Sequence, residues 1–285
     1  MVTTNDYDSD RENSWCPGCG NFPILEVLKE SLAERGIWPH EALIVSGIGQ
    51  AGKLPQYMRV NMFNVLHGRT LPVATGAKLA NHRLVVLAVG GDGDGYAEGG
   101  NHLIHAARRN VDLTYLVHNN QIYGLTKGQA SPTTDAGSVT TTTPRGNPTP
   151  GLNPIALVLS LQPNFVARGY AGNKEQLAQL IQTGLEHPGF SFIDILQPCV
   201  TFNKVNTYSW YSERVYDINQ AGHDPEDLSG AFSLAQEWGK RIPTGIFYKG
   251  DRPVFHESIL GKDARPLWEL EPEPDRISAF FPEYF

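Results

Sequence analysis

The chain has 285 residues, of which 40% are hydrophobic and 19% are charged, and its formal net charge is −7. This length supports one large domain or two small ones with a full hydrophobic core. The negative charge argues against nucleic acid as the main partner, and no apolar run is long enough to span a membrane. The polar, acidic N-terminal segment lacks the pattern of a secretory signal, so we expect a cytoplasmic protein.

The first motif along the chain is WCPGCG at 15–20, which contains Cys16 and Cys19. The third cysteine, Cys199, lies far from them in sequence, directly after a predicted strand. Without an export signal, three cysteines do not predict a disulfide framework. Thiolates in this arrangement suit zinc, an iron–sulfur cluster or a redox disulfide. The cysteines by themselves leave these options open.

Apolar runs typical of buried strands recur along the chain, with helical patterns between several of them. The predicted strands cover 42–48, 83–89, 113–119 and 190–196, and the predicted helices cover 22–35, 99–110 and 173–187. This alternation indicates an α/β fold, a parallel sheet with helices on both faces. In such sheets ligands bind at the carboxyl ends of the strands. Residues 47–52, 90–95 and 119–124 should therefore meet at one site.

The strongest chemical signal is a Gly-Asp-Gly turn after one predicted strand and an Asn pair after the next. The turn contains Asp92 and the pair contains Asn120. One carboxylate, one amide oxygen and a backbone carbonyl, together with diphosphate oxygens, complete an octahedral Mg²⁺ shell. The glycines of the turn would let the backbone approach the phosphates, and the following helix N-terminus favours their charge. A Gly-Asp-Gly turn alone often has only a structural role. The prediction therefore depends on the combination of this turn with the Asn pair.

Two later regions lack a regular pattern. Residues 126–154 are rich in Thr, Pro, Ser and Gly, and their position after the Asn pair favours a loop that closes over the site. From about residue 205 the pattern becomes irregular. This end of the chain is predicted to be either a surface extension or a segment ordered against another subunit.

Further motifs accompany the Gly-Asp-Gly and Asn-Asn pair in a fixed order. They are WCPGCG at 15–20, VSGIGQAGK at 45–53, HGRTLPVATGAKLA at 67–80, NNQIYGLTKGQASPTT at 119–134 and QPCVTFN at 197–203. Together they resemble the β subunits of 2-oxoacid:ferredoxin oxidoreductases, most of all the branch that uses 2-oxoglutarate. The resemblance covers residues 15 to about 205. It implies a thiamine diphosphate-binding domain, which we assign to 1–208. The irregular residues 209–285 are assigned to a C-terminal extension, which is predicted to contact another subunit.

The resemblance also implies roles for individual residues. The predicted Mg²⁺ ligands are Asp92, Asn120 and the carbonyl of Ile122. The other residues predicted to bind thiamine diphosphate are Gly49, Gly91, Gly93, Asp94, Gly124 and Leu125. His67 is predicted to lie near the reacting carbon, and Lys53 to pair with a substrate carboxylate. The competing interpretations are a structural histidine and a solvated lysine.

The reaction implied is the reversible oxidative decarboxylation of 2-oxoglutarate to succinyl-CoA, with CoA as acyl acceptor and ferredoxin as electron acceptor. Only one α/β unit is evident, so an α subunit should supply the pyrimidine-binding domain in an αβ or (αβ)₂ complex. This chain is predicted to be inactive alone. The alternatives are a subunit for pyruvate or a branched-chain 2-oxoacid, a non-redox thiamine-dependent decarboxylase or synthase subunit, and a subunit that has lost catalysis.

The resemblance favours one [4Fe–4S] cluster among the options for Cys16, Cys19 and Cys199. Gln50 stands where the family usually has a fourth cysteine. The open possibilities are a non-cysteine ligand or solvent at the fourth iron, a three-iron cluster, or a ligand from the partner.

Overall fold

The computed structural model describes residues 1–271, which form one twisted, mostly parallel sheet with helices on both faces. The strands are β1 (Ala42–Ser46), β2 (Asn61–Asn64), β3 (Val85–Gly91), β4 (Leu113–Asn119), β5 (Ile122–Tyr123), β6 (Gln129–Ala130), β7 (Phe165–Tyr170), β8 (Phe190–Leu196), β9 (Val215–Asp217) and β10 (Ile242–Lys249). The eight-stranded sheet has the order β2-β1-β3-β4-β8-β7-β10-β9, and β5 and β6 form a separate hairpin. The predicted α/β fold class is confirmed.

Helices cover the sheet on both sides. They are α1 (Asn21–Glu34), α2 (Thr70–Ala80), α3 (Gly100–Arg109), α4 (Pro154–Leu159), α5 (Lys174–Glu186), α6 (Tyr208–Ser212), α7 (Leu228–Ala235) and α8 (Phe255–Leu260). Residues of α1 and α5 pack into one apolar core, and residues of α2, α3, α4 and α7 pack into the other. Alternate side chains of each strand enter the two cores, which is why the strands read as continuous apolar runs. No helix in residues 1–271 is long and apolar enough to cross a membrane.

The predicted strands and helices correspond to β1, β3, β4 and β8 and to α1, α3 and α5. These strands are buried along most of their length, so their hydrophobic pattern is unambiguous. Because β1, β3 and β4 pair in parallel, their carboxyl ends lie at one edge of the sheet. Three loops that carry predicted site residues are thereby brought together.

The sequence did not predict the strands after residue 205. β10 pairs antiparallel with β7, with Gly245 opposite Arg168, and β9 pairs in parallel with β10. Pro243 and Gly245 weaken the strand signal of β10, and Gly245 has φ +119° next to a register shift. Residues up to Lys249 therefore extend the main sheet. A domain division at 208/209 stays a prediction, and residues 272–285 of the predicted extension lie outside the described residues.

Candidate active site

A cleft opens at the carboxyl edge of the sheet, where the loops after β1, β3 and β4 meet. All the residues predicted to bind the cofactor line it: Gly49, His67, Gly91, Asp92, Gly93, Asp94, Asn120, Ile122, Gly124 and Leu125. The cleft holds only about 80 Å³, whereas a pocket for a ligand of cofactor size usually holds roughly 300–1,000 Å³. Within this chain, the cleft therefore has the size of a partial site.

Asp92 is buried at the end of β3, and two hydroxyl groups of the Thr-rich loop bond to it. Ser131 Oγ donates to Asp92 Oδ2 at 2.5 Å, and Thr133 Oγ1 donates to the same oxygen at 2.6 Å. Burial raises the pKa of Asp92 to about 6, although both hydroxyls act in the opposite direction. Part of the loop predicted to close over the site therefore holds the buried carboxylate by hydrogen bonds.

The turn after β3 is a single π-helical turn, Gly93–Glu98, which precedes α3. Such turns occur often at functional sites. A side chain at position 93 would lie 2.2 Å from the Tyr123 ring, so this glycine is required by the protein's own packing. At position 91 a Cβ would meet only the His118 carbonyl oxygen at 3.9 Å. Gly91 therefore leaves open space at the cleft.

The chain turns sharply after β4 at Gln121, which has φ +58°. Left-handed backbone is uncommon for a side chain other than glycine, and the surrounding structure has to stabilise it. Gln121 is buried, and its Nε2 donates to the carbonyl of Thr133 at 2.7 Å. This turn places Asn120 and Ile122 on the same cleft as Asp92. A carboxylate, an amide oxygen and a backbone carbonyl fit Mg²⁺.

Asp94 lines the cleft and joins two loops by hydrogen bonds. Its Oδ1 accepts hydrogen bonds from the backbone N–H of Ile48 (3.1 Å) and of Gly68 (2.9 Å), and its Oδ2 accepts from Thr70 Oγ1 (3.1 Å). Asp94 Oδ1 also lies 2.8 Å from Nδ1 of His67. A carboxylate on Nδ1 fixes the imidazole orientation. Nε2 of His67 lies 3.8 Å from Glu98 Oε2. The sequence placed Asp94 at the diphosphate but did not predict that it positions His67.

Lys53 is not among the residues that line this cleft. Its Nζ donates to Ser14 Oγ at 3.2 Å, close to the cysteine turn, and Ser14 Oγ in turn lies 2.8 Å from the Tyr57 hydroxyl. Residues 14 and 53 therefore lie side by side. The predicted contact of Lys53 with substrate stays a prediction.

A buried polar network that the sequence did not predict extends from Asp92 into the sheet. Thr133 Oγ1, whose single proton can go to Asp92 or to Asn119, lies 2.9 Å from Asn119 Oδ1, and Asn119 Nδ2 donates to Asp194 Oδ1 at 3.0 Å. Asp194 is paired with Arg168 Nε at 3.2 Å, and both side chains are buried. A cavity of about 360 Å³ lies beside this network and includes Thr133, Asn119 and Arg168 in its lining. We place the chemistry in the smaller cleft, because the predicted Mg²⁺ ligands meet there.

The three cysteines line a second cleft, next to the first. Thr201 Oγ1 donates to Cys16 Sγ at 3.0 Å, and Gln197 Nε2 donates to Cys19 Sγ at 3.5 Å. Burial raises the pKa of Cys19 to about 11, and Cys16, Cys19 and Cys199 line the same cleft. Gln50, Asn120 and Gly124 line both clefts.

Residues 1–271 contain no group of three or more His, Cys, Asp or Glu side chains that could hold a single metal ion. This finding has no bearing on the Mg²⁺ set, which needs only one carboxylate. A four-iron cluster is larger than one ion and takes thiolates that lie farther apart. Hydrogen bonds to sulfur, as seen at Cys16 and Cys19, are a usual feature of such clusters.

The site residues that the sequence missed are Ser131, Thr133, Asn119, Asp194 and Arg168. The Thr-rich segment was recognised as a loop over the site, but composition does not tell which of its hydroxyls reach Asp92. Arg168 and Asp194 each interrupt an apolar strand, and a pair of opposite charges inside a buried sheet is the signal that could have indicated them.

Two protein families match the chain. The family described as "Thiamine pyrophosphate enzyme, C-terminal TPP binding domain" matches residues 47–195. The family that describes the C-terminal part of the pyruvate ferredoxin oxidoreductase beta subunit matches residues 199–262. The first match includes the loops that form the cofactor cleft. The second includes Cys199 and the strands β9 and β10.

Known proteins similar to the chain carry related names. The β subunit of the 2-oxoacid:ferredoxin oxidoreductase of Saccharolobus solfataricus is 43% identical over 277 residues, which are 93% of this chain and 91% of that protein. The 2-oxoglutarate synthase subunit KorB of Methanothermobacter marburgensis is 43% identical over 256 residues, 87% of this chain and 86% of that protein.

A solved structure is also similar, that of the 2-oxoglutarate:ferredoxin oxidoreductase from Magnetococcus marinus with 2-oxoglutarate, coenzyme A and succinyl-CoA bound. The match has a TM-score of 0.91 at 38% identity and covers 98% of this chain and 96% of that chain.

Proposed function

The chain belongs to the β subunits of the thiamine diphosphate-dependent 2-oxoacid:ferredoxin oxidoreductases, and from this premise we propose that its substrate is 2-oxoglutarate. The proposed reaction is oxidative decarboxylation to succinyl-CoA, with electrons passing through an iron–sulfur cluster to ferredoxin. The assignment of the thiamine site is supported by one observation: Asp92, Asn120 and Ile122 line the same cleft. The choice of 2-oxoacid is supported by the names of the relatives from Methanothermobacter marburgensis and Magnetococcus marinus.

In this proposal the chain binds the diphosphate end of the cofactor. When bound, thiamine diphosphate would supply the nucleophilic carbon and the electron sink for decarboxylation of the 2-oxoacid. Asp92, Asn120 and the carbonyl of Ile122 would hold Mg²⁺, and Gly91 would give the backbone close access to the diphosphate. His67 Nε2 would accept or donate a proton near the reacting carbon, in the orientation that Asp94 sets.

The partner subunit should complete the site. A cleft of about 80 Å³ does not enclose a cofactor, and its open side has to be covered for water to be excluded from the reaction. We propose that this side is covered by an α subunit, which also supplies the pyrimidine-binding domain and most of the CoA contacts. The cysteine cleft, which shares Gln50, Asn120 and Gly124 with the first, would place the cluster beside the cofactor.

The test is the oxidation of 2-oxoacids by the complex of this chain and its α subunit, produced together in one cell. The reduction of ferredoxin in the presence of CoA should show a higher kcat/KM with 2-oxoglutarate than with pyruvate or 2-oxoisovalerate. The isolated chain should show no turnover. Equal or better use of pyruvate would overturn the substrate assignment, and turnover by the isolated chain would overturn the shared site.

Pyruvate is the second candidate substrate, because the family that matches residues 199–262 is named for pyruvate. The same panel of oxoacids separates the two. A non-redox thiamine enzyme would release CO₂ without reducing ferredoxin, and its purified complex would contain no iron and sulfide.

A further inference from the structure

Three buried polar atoms without a partner belong to residues that line the cysteine cleft. Among the buried side-chain atoms of the described residues that lack a hydrogen-bond partner are Asn21 Nδ2, Gln50 Oε1 and Gln197 Oε1. All three residues line the cleft together with Cys16, Cys19 and Cys199. Burial of a polar atom without a partner is unfavourable, and several such atoms around one cleft indicate a group that is bound there.

The backbone of Gln50 is fixed next to the cysteine turn. Trp15 Nε1 donates to the carbonyl oxygen of Gln50 at 2.9 Å. The Trp15 ring is buried and packs edge-to-face against Tyr57 and Phe22, with ring centroids 4.9 and 5.5 Å away. Because Trp15 directly precedes Cys16, this hydrogen bond joins the two segments that meet at the cleft.

The side chains of Gln50 and Gln197 differ in their hydrogen-bond partners. Gln197 Nε2 donates to the carbonyl of Pro198 at 2.8 Å and to Cys19 Sγ at 3.5 Å, so this amide is already bound to a thiol. Gln50 Oε1 has no partner among the described residues, and Gln50 lines the cofactor cleft as well. The residues that line the cysteine cleft include no His, Asp or Glu. An amide oxygen is then the strongest hard donor available beside the three thiols.

We propose that Gln50 occupies the fourth position of the cluster and binds through its amide oxygen the iron that the three cysteines leave without a thiolate. This inference rests on the proposed function, in which the cluster is bound here. It makes one iron chemically distinct and places that iron on the side of the cysteine cleft that adjoins the cofactor cleft. A neutral oxygen donor holds iron less firmly than a thiolate and leaves less negative charge on the cluster, which raises its potential.

The experiment uses the co-expressed complex, grown with ⁵⁷Fe and purified without oxygen, as wild type and as Gln50→Cys, Gln50→Leu and Gln197→Leu. Gln179→Cys, at an exposed position of α5, controls for the introduction of a thiol. The measurements are iron and sulfide content, Mössbauer and EPR spectra, and the midpoint potential. Difference spectra between variants cancel the signal of any iron that belongs to the partner.

In the wild type, one iron in four should give a distinct Mössbauer signal, and mild oxidation should yield the EPR signal of a three-iron cluster. Gln50→Cys should make the four irons alike and lower the potential by about 59 mV or more, which is a tenfold change in the ratio of reduced to oxidised cluster for a one-electron couple. Gln50→Leu should lose the fourth iron more readily than the wild type. Gln179→Cys and Gln197→Leu should keep the distinct iron.

Four equivalent irons in the wild type would overturn the proposal. The proposal would also be overturned if both Gln50 variants had the spectra and the potential of the wild type. It would equally be overturned if Gln197→Leu lost the distinct iron and the Gln50 variants kept it. A wild-type complex without iron and sulfide would overturn the proposed electron-transfer function as well, so failure of the ligand assignment and failure of the function are distinguishable.

Discussion

The two clefts at the carboxyl edge of the sheet differ in how their buried polar groups are satisfied. In the cofactor cleft, Asp92 and Asp94 accept hydrogen bonds from hydroxyl and backbone donors. In the cysteine cleft, amide atoms of Asn21, Gln50 and Gln197 are buried without partners. The first cleft is therefore preorganised by the protein itself. In the proposed function the second is completed by the cluster, so the two should respond differently to mutation.

The largest effect is expected from Asp92→Ala. This change removes the carboxylate of the Mg²⁺ set, and loss of one partner from a buried charge interaction costs about 3–5 kcal/mol, or at least about a hundredfold in affinity. The complex should then retain no thiamine diphosphate at low Mg²⁺ while its cluster iron is unchanged.

Cofactor content after gel filtration and iron content measure this outcome. Asp251→Ala, at an exposed position, is the matched control and should behave as the wild type. Stoichiometric cofactor in Asp92→Ala would show that the Mg²⁺ site is assigned to the wrong residue.

Replacement of a cysteine should have the converse effect. Cys16→Ser, Cys19→Ser and Cys199→Ser should each lose the cluster iron and ferredoxin reduction, because no thiolate in the chain is spare. Thiamine diphosphate should still bind, because Asp92 and its donors do not depend on the thiols. Simultaneous loss of cofactor from a cysteine variant would mean that the two clefts are not independently organised.

The difference between the clefts also explains what the sequence could predict. The ligands of the first lie at the ends of buried parallel strands, so hydrophobic pattern and strand order bring Asp92 and Asn120 together without knowledge of side-chain contacts. The donors from Ser131 and Thr133 belong to an irregular loop, whose path depends on Gln121 in a left-handed conformation. A turn of this kind produces no periodic pattern in the sequence, so it could not be predicted.

The second cleft could be predicted only as a set of cysteines. Cys199 reaches Cys16 and Cys19 because β8 ends near the start of α1, a relation that depends on the completed sheet. The sequence predicted β1, β3, β4 and β8 of this sheet and missed its other four strands. β7 was missed although it is fully buried, because Arg168 and Gly169 interrupt its apolar run. β10 contains Pro243 and Gly245, and β2 is exposed along its whole length, so neither shows the apolar run by which strands were identified.

Asp94→Asn tests whether preorganisation of the first cleft extends to His67. The variant keeps an acceptor of similar shape but loses the charge that orients the imidazole, and loss of such a partner typically costs about 10–100-fold. We expect kcat to fall by this factor with little change in KM for the oxoacid.

A double-mutant cycle with His67→Ala is the decisive measurement for this residue. If Asp94 acts through His67, the two effects should not add. Additive losses would mean that Asp94 acts mainly by joining the loops at Ile48 and Gly68.

Lys53 lies close to the cysteine turn. Replacement of Lys53 should have a smaller effect, which differs between substrates. If Lys53 pairs with the distal carboxylate in the complete site, Lys53→Ala should raise KM about tenfold for 2-oxoglutarate and leave KM for pyruvate unchanged. A loss of this size corresponds to about 1.4 kcal/mol. Lys53→Arg should recover part of the effect. Equal changes for both substrates would indicate that Lys53 only supports Ser14 and the cysteine turn.

The smallest effect near neutral pH comes from the titration of Asp92. Its pKa is raised by burial to about 6, and Mg²⁺ binds the ionised carboxylate. Cofactor affinity at limiting Mg²⁺ should therefore fall about twofold between pH 7.5 and 6, and about tenfold by pH 5. The effect on the cofactor-free protein has the opposite sign. A carboxyl group whose pKa is higher in the folded state stabilises that state as the pH falls through about 6 toward its unfolded value near 4.

Buried His118, whose pKa is lowered to about 3, destabilises the fold over an overlapping pH range, so the informative quantity is the difference between wild type and Asp92→Asn. That difference in the free energy of unfolding should favour the variant at pH 7 and diminish toward pH 4. A difference that does not change with pH would show that the pKa of Asp92 is the same in the folded and unfolded states, so that the hydroxyls of Ser131 and Thr133 fully offset its burial.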